Sequence, residues 1–246
     1  LSGSFLNLIQ LHHARAYDLF VKFYKLSWEK PRCVVAEKFP FVPTEQEIGA
    51  LISAAGKKLS TFLLLLKETA MRRGEAKRLE WINIDSERNT ITLNEPEKHS
   101  NPRIWKVSPQ LLAQLNALPK NNSKVFGNCR MDSLKSAFLH LRRKQAYKLQ
   151  NPRLLNIGFH TLRHWKATML YHKTKDPFYV RDFLGHKSMK NTEKYITIER
   201  TMFADYGDDE FTVKVTSKQE EATRYLEVGY EWIGVKDSLI FLRKRK

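Results

Sequence analysis

The stretch Phe159-His160-Thr161-Leu162-Arg163-His164-Trp165 decides the reading of this chain, together with Phe183-Leu184-Gly185-His186 and Thr192-Glu193-Lys194-Tyr195 further on. His160 and Arg163 stand three residues apart, so the helix they open presents both from one face. That face carries two donors suited to phosphate. A Leu-Gly-His triplet then closes a helical stretch, and Tyr195 follows nine residues after His186. Upstream, Glu68-Thr69-Ala70-Met71-Arg72-Arg73-Gly74-Glu75 sets two arginines at the end of an apolar helix.

Around these stretches lies a chain of 246 residues with 43 Lys and Arg against 26 Asp and Glu, a formal charge of +17. Such a surplus repels itself unless an anionic partner meets it. Nucleic acid is the first candidate and an acidic membrane surface the second. A spanning helix is not expected, because the longest apolar run, Phe62 to Leu66, falls far short of the roughly 20 residues required. The chain does not open on a signal-peptide pattern. A cytoplasmic, nucleoid-associated location is the expectation. Apolar residues at 42% and charged residues at 28% are globular values, which sets disordered and fibrous classes aside. Cys33 and Cys129 have no further thiol or histidine at metal-ligand spacing, so two reduced cysteines and no zinc site are expected. The opening at Leu1, already close to helical pattern, is read as part of something longer.

Segments follow from local chemistry. Leu6 to Tyr24 has loosely helical apolar spacing, and Ser27 to Pro43, with Pro31, Pro40 and Pro43, reads as an extended linker. Thr44 and Glu47 form a capping-box pair that opens a helix to Gly56, followed by a second helix from Lys58 to Met71. Alternation then takes over at Ile82 and Ile84, Ile91 and Leu93, Ile104 and Val107, predicting a three-stranded meander. Ser108-Pro109 starts a helix to Leu118, Leu134, Phe138 and Leu141 mark another to about Leu149, and helices continue to Tyr195. Beyond Ala204, alternation through Phe211, Val213 and Val215, a capping box at Ser217 and Glu220, and a stop at Gly229 predict a β-α-β-β appendage. The fold class is mainly α with a small antiparallel β-meander, an α+β chain. Its parts are residues 1–42, a main domain over 43–204 and an appendage over 205–246.

Arg, Lys, His-x-x-Arg, His and Tyr thus occur in one order, and from about Pro43 to Phe203 the sequence resembles the tyrosine recombinase (phage-type integrase) family. It looks similar to integrases of archaeal viruses and mobile elements. His-x-x-Arg alone is a weak signal. Its combination with Leu-Gly-His, the spaced tyrosine and an upstream Arg-x-Gly-Glu is a strong one. The resemblance implies that Arg72 is the first arginine, that Lys98 in the hairpin turn is the lysine, and that His160, Arg163, His186 and Tyr195 complete the set. Two departures stand out: Ala70 occupies a position where glycine is common, and Arg73 competes with Arg72. The resemblance further implies site-specific integration or excision of a mobile element, with Tyr195 joined to a 3′-phosphate while a 5′-hydroxyl is freed. No cofactor, metal or ATP is implied. The partners implied are double-stranded DNA attachment sites and further copies of the chain, a homo-tetramer on DNA exchanging strands through a Holliday junction and a monomer or dimer when free. Residues 1–42 would be the remnant of a core-binding domain, and the appendage would contact a second protomer or DNA.

Elementary chemistry suits these roles. Attack on an anionic phosphodiester adds charge to its nonbridging oxygens, and permanently charged, planar guanidiniums such as those of Arg72 and Arg163 clamp it. A phenol with a pKa of about 10 is a poor nucleophile at neutral pH and needs cationic surroundings or a proton acceptor, here His160. Lys98 on a flexible stem would protonate the departing oxygen, and His186 would hydrogen-bond a nonbridging one.

Each residue also has an ordinary reading. A single tyrosine is more often half-buried core than nucleophile. His164 and His172 read as caps or satisfied core groups, and the arginines at a helix end oppose its dipole. The cluster Arg142-Arg143-Lys144 reads equally as a solvated helix face or a DNA-backbone contact. Two alternatives to recombination stand beside it: relaxation of DNA in the manner of a type IB topoisomerase, and a non-catalytic basic DNA-binding module.

Overall fold

The computed structural model describes residues 13–14, 16–29, 38–203, 211–236 and 238–245. Residues 16–23 are helical; Cys33, the start of the expected Leu6 to Tyr24 helix and much of the linker lie outside the described residues. The described chain falls into two compact units that part between Glu199 and Arg200.

The first unit opens at Thr44. Its hydroxyl accepts from the Glu47 amide at 3.2 Å and the Glu47 carboxylate accepts from the Thr44 amide at 2.8 Å, starting helix α1 (Glu45–Ala54). Helix α2 (Lys57–Thr69) then runs through the leucine-rich stretch, and every side chain from Phe62 to Leu66 is buried. Such all-round burial needs protein on every side. Phe62 meets Phe126 and Phe159 edge-on at 5.0 and 5.3 Å, and Phe159 stacks on Phe138 at 4.8 Å. At roughly 1.5–3 kcal/mol for each buried aliphatic or aromatic side chain, this helix is the main post of the core. It ends at Ala70, which takes the left-handed conformation (φ 53°, ψ 24°) that costs an L-residue about 1–2 kcal/mol. That backbone explains why glycine suits the position.

Short helix α3 (Arg73–Arg78) leads into the meander β1 (Ile84–Asp85), β2 (Thr90–Leu93) and β3 (Arg103–Lys106), antiparallel in that order. Two local expectations fail here. Ile82 lies in a 3₁₀ turn rather than a strand and is 87% exposed. In β3 the buried side is Arg103 and Trp105, continued by Val107, while Ile104 faces outward at 65% exposure. A charged residue therefore occupies the inner face.

Helices α4 (Pro109–Asn116), α5 (Met131–Lys148), α6 (Phe159–Thr174), α7 (Pro177–Leu184) and α8 (Lys190–Met202) complete the set. Ser108 caps α4 by accepting from the Leu111 amide, and Asp176 caps α7 through the Phe178 and Tyr179 amides. Among the described residues no helix is long and apolar enough to cross a membrane.

In the second unit, β4 (Phe211–Thr216), α9 (Gln219–Glu227), β5 (Glu231–Lys236) and β6 (Leu239–Arg245) form an antiparallel sheet ordered β4-β6-β5 with the helix packed through Ala222, Ile240 and Leu242. The expected Ser217–Glu220 cap does not form. Thr216 replaces it, accepting from the Lys218 amide and donating to Glu221 at 2.8 Å.

Candidate active site

Helix ends and turns deliver the side chains. Arg72 stands at the start of α3, where one guanidinium nitrogen donates to Glu75 at 3.0 Å, the Ser100 hydroxyl at 2.7 Å and the Glu97 carbonyl at 3.2 Å. Arg73, one residue on, is exposed and does not reach this cluster. Lys98 lies in the turn between β2 and β3, on a left-handed backbone (φ 57°). The turn is fixed at both ends: the Glu97 amide donates to Glu75 at 3.0 Å, and the Asn101 amide to the Gly185 carbonyl at 3.1 Å. Gly74 lies beneath the Glu97 side chain: a Cβ there would come 2.0 Å from a Glu97 carboxylate oxygen, so the carboxylate would have to swing aside.

Arg163 projects from the first turns of α6 and is 2% exposed. Its guanidinium donates to the Ala70 carbonyl at 2.6 Å and the Leu184 carbonyl at 2.7 Å. Gly185 terminates α7 in the left-handed region and lets the chain turn so that the His186 ring bonds Thr192 at 3.0 Å. Tyr195, on the second turn of α8, is 2% exposed and its hydroxyl lies 3.0 Å from Nδ1 of His164. Arg72, Lys98, His160, Arg163, His186 and Tyr195 line a single recess of about 360 Å³. His99, Ser100, His164, Lys187, Asn191 and Lys194 line it too.

Five cations and a buried phenol around one opening, reached from five separate segments, is a geometry for one strongly anionic group. Residues 42–201 match the phage integrase family. The chain belongs to the phage integrase family. It is 26% identical over 172 residues to the tyrosine recombinase XerH of Helicobacter pylori, covering 67% of this chain and 47% of that protein. It thus spans about half the length of the curated relative it matches. The Tn1549 transposon integrase in complex with transposon right end DNA superposes with a TM-score of 0.61 at 14% identity, over 83% of this chain and 80% of that one. A λ integrase tetramer bound to a Holliday junction gives 0.57 at 16% identity, over 77% and 58%. At these identities the two structures speak for the fold.

Electrostatics separate the groups of this integrase-family site. Burial, followed by the charges of Arg72 and Arg103, pushes Arg163 down to about 10, so it stays cationic at neutral pH. Neutral carbonyls accept its hydrogen bonds at Ala70 and Leu184, and Glu75 offsets part of its charge through space. Burial and the surrounding cations push His160 down to about 4, and His164 and His186 to about 3. His160 itself stands on the open wall of the recess. All three imidazoles are neutral at pH 7. Burial raises Tyr195 to about 12 against the pull of Arg163, which keeps the phenol protonated.

Behind the recess lies an ion pair that sequence reading passed over. Arg103, on the inner face of β3, donates to Glu75 at 2.8 Å and to the Leu184 carbonyl at 2.8 Å. Glu75 holds Arg72 and the Lys98 turn, and the Leu184 carbonyl is shared with Arg163. One buried carboxylate therefore aligns three of the cationic elements. Burial alone would raise the Glu75 pKa, but Arg103 and the amides of Arg72 and Glu97 hold it below the usual carboxylate value. The signal for Arg103 was an arginine in register with Trp105 and Val107 on a strand.

The Arg142-Arg143-Lys144 cluster divides. Arg142 turns one guanidinium nitrogen toward the Leu155 and Ile157 carbonyls, donating at 2.8 and 2.7 Å, and so ties α5 to the turn before α6. Arg143 and Lys144 are exposed on α5.

Proposed function

We propose that this chain is the catalytic part of a site-specific DNA recombinase that cuts and rejoins DNA through a covalent 3′-phosphotyrosyl link at Tyr195, integrating or excising a mobile element. The observation that carries the reading is the convergence of Arg72, Lys98, Arg163 and His186 on the recess that holds Tyr195. In the proposed reaction the scissile phosphate enters the recess and its nonbridging oxygens meet Arg72, Arg163 and His186, where charge developing in the transition state is stabilised in a water-poor setting. Tyr195 attacks phosphorus, Lys98 protonates the leaving 5′-oxygen, and the phosphotyrosyl bond conserves the energy for rejoining. The bond is remade when a 5′-hydroxyl of the partner duplex attacks in turn.

The partner is double-stranded DNA at attachment sites, contacted along its backbone by the basic surplus. On DNA the chain works as a homo-tetramer joining two sites, the state named for the λ integrase structure on a Holliday junction. Residues 43–204 are the catalytic domain in this proposal, residues 1–42 are a helix and linker that form the remnant of a core-binding domain, and residues 205–246 contact a second protomer or DNA. Exposed Arg143 and Lys144 are proposed phosphate contacts. Mixing two differently labelled duplexes that carry the recognised site tests the reading. Joined products containing one half of each duplex are expected; relaxation of supercoiled DNA without such products would move the assignment to a topoisomerase.

A further inference from the structure

The phenol proton must go somewhere, and the residue expected to take it was His160. The geometry selects its neighbour one helical turn on. Nδ1 of His164 lies 3.0 Å from the Tyr195 hydroxyl, with the ring centroids 5.9 Å apart. His160 instead sets its ring at 83° to that of His164, centroids 4.6 Å apart, on the open side of the recess. The two imidazoles therefore hold different stations: His164 against the nucleophile, His160 toward the entering phosphate.

We propose that His164 is the proton acceptor for Tyr195. As Tyr195 Oη bonds to phosphorus, the phenol proton passes to Nδ1 of His164, the P–O5′ bond breaks, and the leaving oxygen takes a proton from the Lys98 ammonium. Rejoining returns each proton along the same path. This inference rests on Tyr195 being the nucleophile and adds the identity of its base. It requires the neutral tautomer of His164 with hydrogen on Nε2, which leaves the Nδ1 lone pair facing the phenol. The charged and titratable groups acting on His164 are His160, Lys194, Arg163 and His186, all of which favour the neutral form.

The surroundings also account for timing. With His164 held near 3 and Tyr195 near 12, the proton stays on oxygen while the recess is without phosphate. A phosphodiester anion entering among the same cations offsets their charge and raises the basicity of the imidazole. The base gains strength only when substrate is in place.

The test uses duplexes that the wild-type chain captures covalently from a randomised library, resynthesised with a nick so that cleavage becomes irreversible. Single-turnover adduct formation is then followed across pH for wild type, His164→Ala, His164→Gln and His160→Ala. Both His164 variants are expected to slow adduct formation about 10²–10⁴-fold, the range for loss of a general base, with DNA affinity changed by less than about threefold. Their rates should rise with each step in pH where the wild-type rate has levelled, because the phenol must then ionise unaided. Glutamine retains an acceptor but cannot hold a proton, so a wild-type rate in His164→Gln overturns the proposal and leaves His164 a positioning residue. The slow rate and altered profile appearing in His160→Ala alone would assign the base to His160. Thermal unfolding checks that each variant is folded, and glutamine stands in if alanine is not. An adduct that persists in Tyr195→Phe, or no captured duplex at all, is the separate failure of the underlying function.

Discussion

Replacing Gly185 with alanine tests how the Leu-Gly-His turn holds the site together. Gly185 has φ +68°, and a Cβ there would lie 2.8 Å from Cδ and Nε of Arg103 and 2.9 Å from the Asn101 carbonyl oxygen. The left-handed backbone costs alanine about 1–2 kcal/mol. Forcing a methyl group against a backbone oxygen and a buried arginine adds about 1–3 kcal/mol, so the total loss is about 2–5 kcal/mol. Gly127 provides the control. Its φ is +64°, yet the nearest atom to an added Cβ is Asn122 Nδ2 at 3.5 Å, ordinary contact. Gly127→Ala should therefore lose only the conformational part, about 1–2 kcal/mol. Urea unfolding of both variants reads the difference as a shift in midpoint at constant slope. The reasoning is refuted if Gly185→Ala is no less stable than Gly127→Ala, or lies within about 0.5 kcal/mol of wild type.

Three further outcomes follow from the same geometry. Glu75→Gln removes the charge opposite Arg103, whose side chain is 2% exposed, and should cost about 3–5 kcal/mol in urea unfolding at neutral pH. Because the folded pKa of Glu75 is depressed, its contribution is present above the ordinary carboxylate value and disappears as pH falls through the folded one, so wild type and variant should converge in acid. His164 and His186, near 3 when folded against about 6.5 for a free imidazole, bind protons first in the unfolded chain, so stability should fall as pH drops below about 6.5. Thermal unfolding that is flat from about pH 7 to about pH 5, with His164→Gln equally flat, contradicts this. Arg142→Ala should cost about 1–3 kcal/mol of stability and leave the salt dependence of DNA binding unchanged. Arg143→Ala should leave stability alone and flatten that salt slope by about 1; the reverse pattern would assign the DNA contact to Arg142 instead.

Much of this was legible in the sequence because it rests on local chemistry. The Thr44–Glu47 cap, the Ser108-Pro109 helix start and the alternation of β2 depend on neighbouring residues, and all three form. The ordered motif residues could be named because each lies at a helix end or turn with its own signature. What escaped was long-range. His164 reads from sequence as a cap or satisfied core histidine because only the fold brings α8 alongside α6. Arg103 was passed over because Ile104 suggested the opposite face of β3, and nothing local shows that Glu75 will neutralise a buried guanidinium. Arg142 was grouped with its charged neighbours since the carbonyls it serves lie beyond the end of its own helix. Ala70 was noted as a departure, but its reason, a left-handed residue between α2 and Arg72, lies in the backbone.

The most direct measurement is the mass of the peptide that carries the DNA after the captured duplex is digested away. The account predicts a nucleotide attached through its 3′-phosphate to the tyrosine of the peptide containing Tyr195, and no adduct from Tyr195→Phe. A nucleotide on any other residue, or an adduct surviving in Tyr195→Phe, would contradict it.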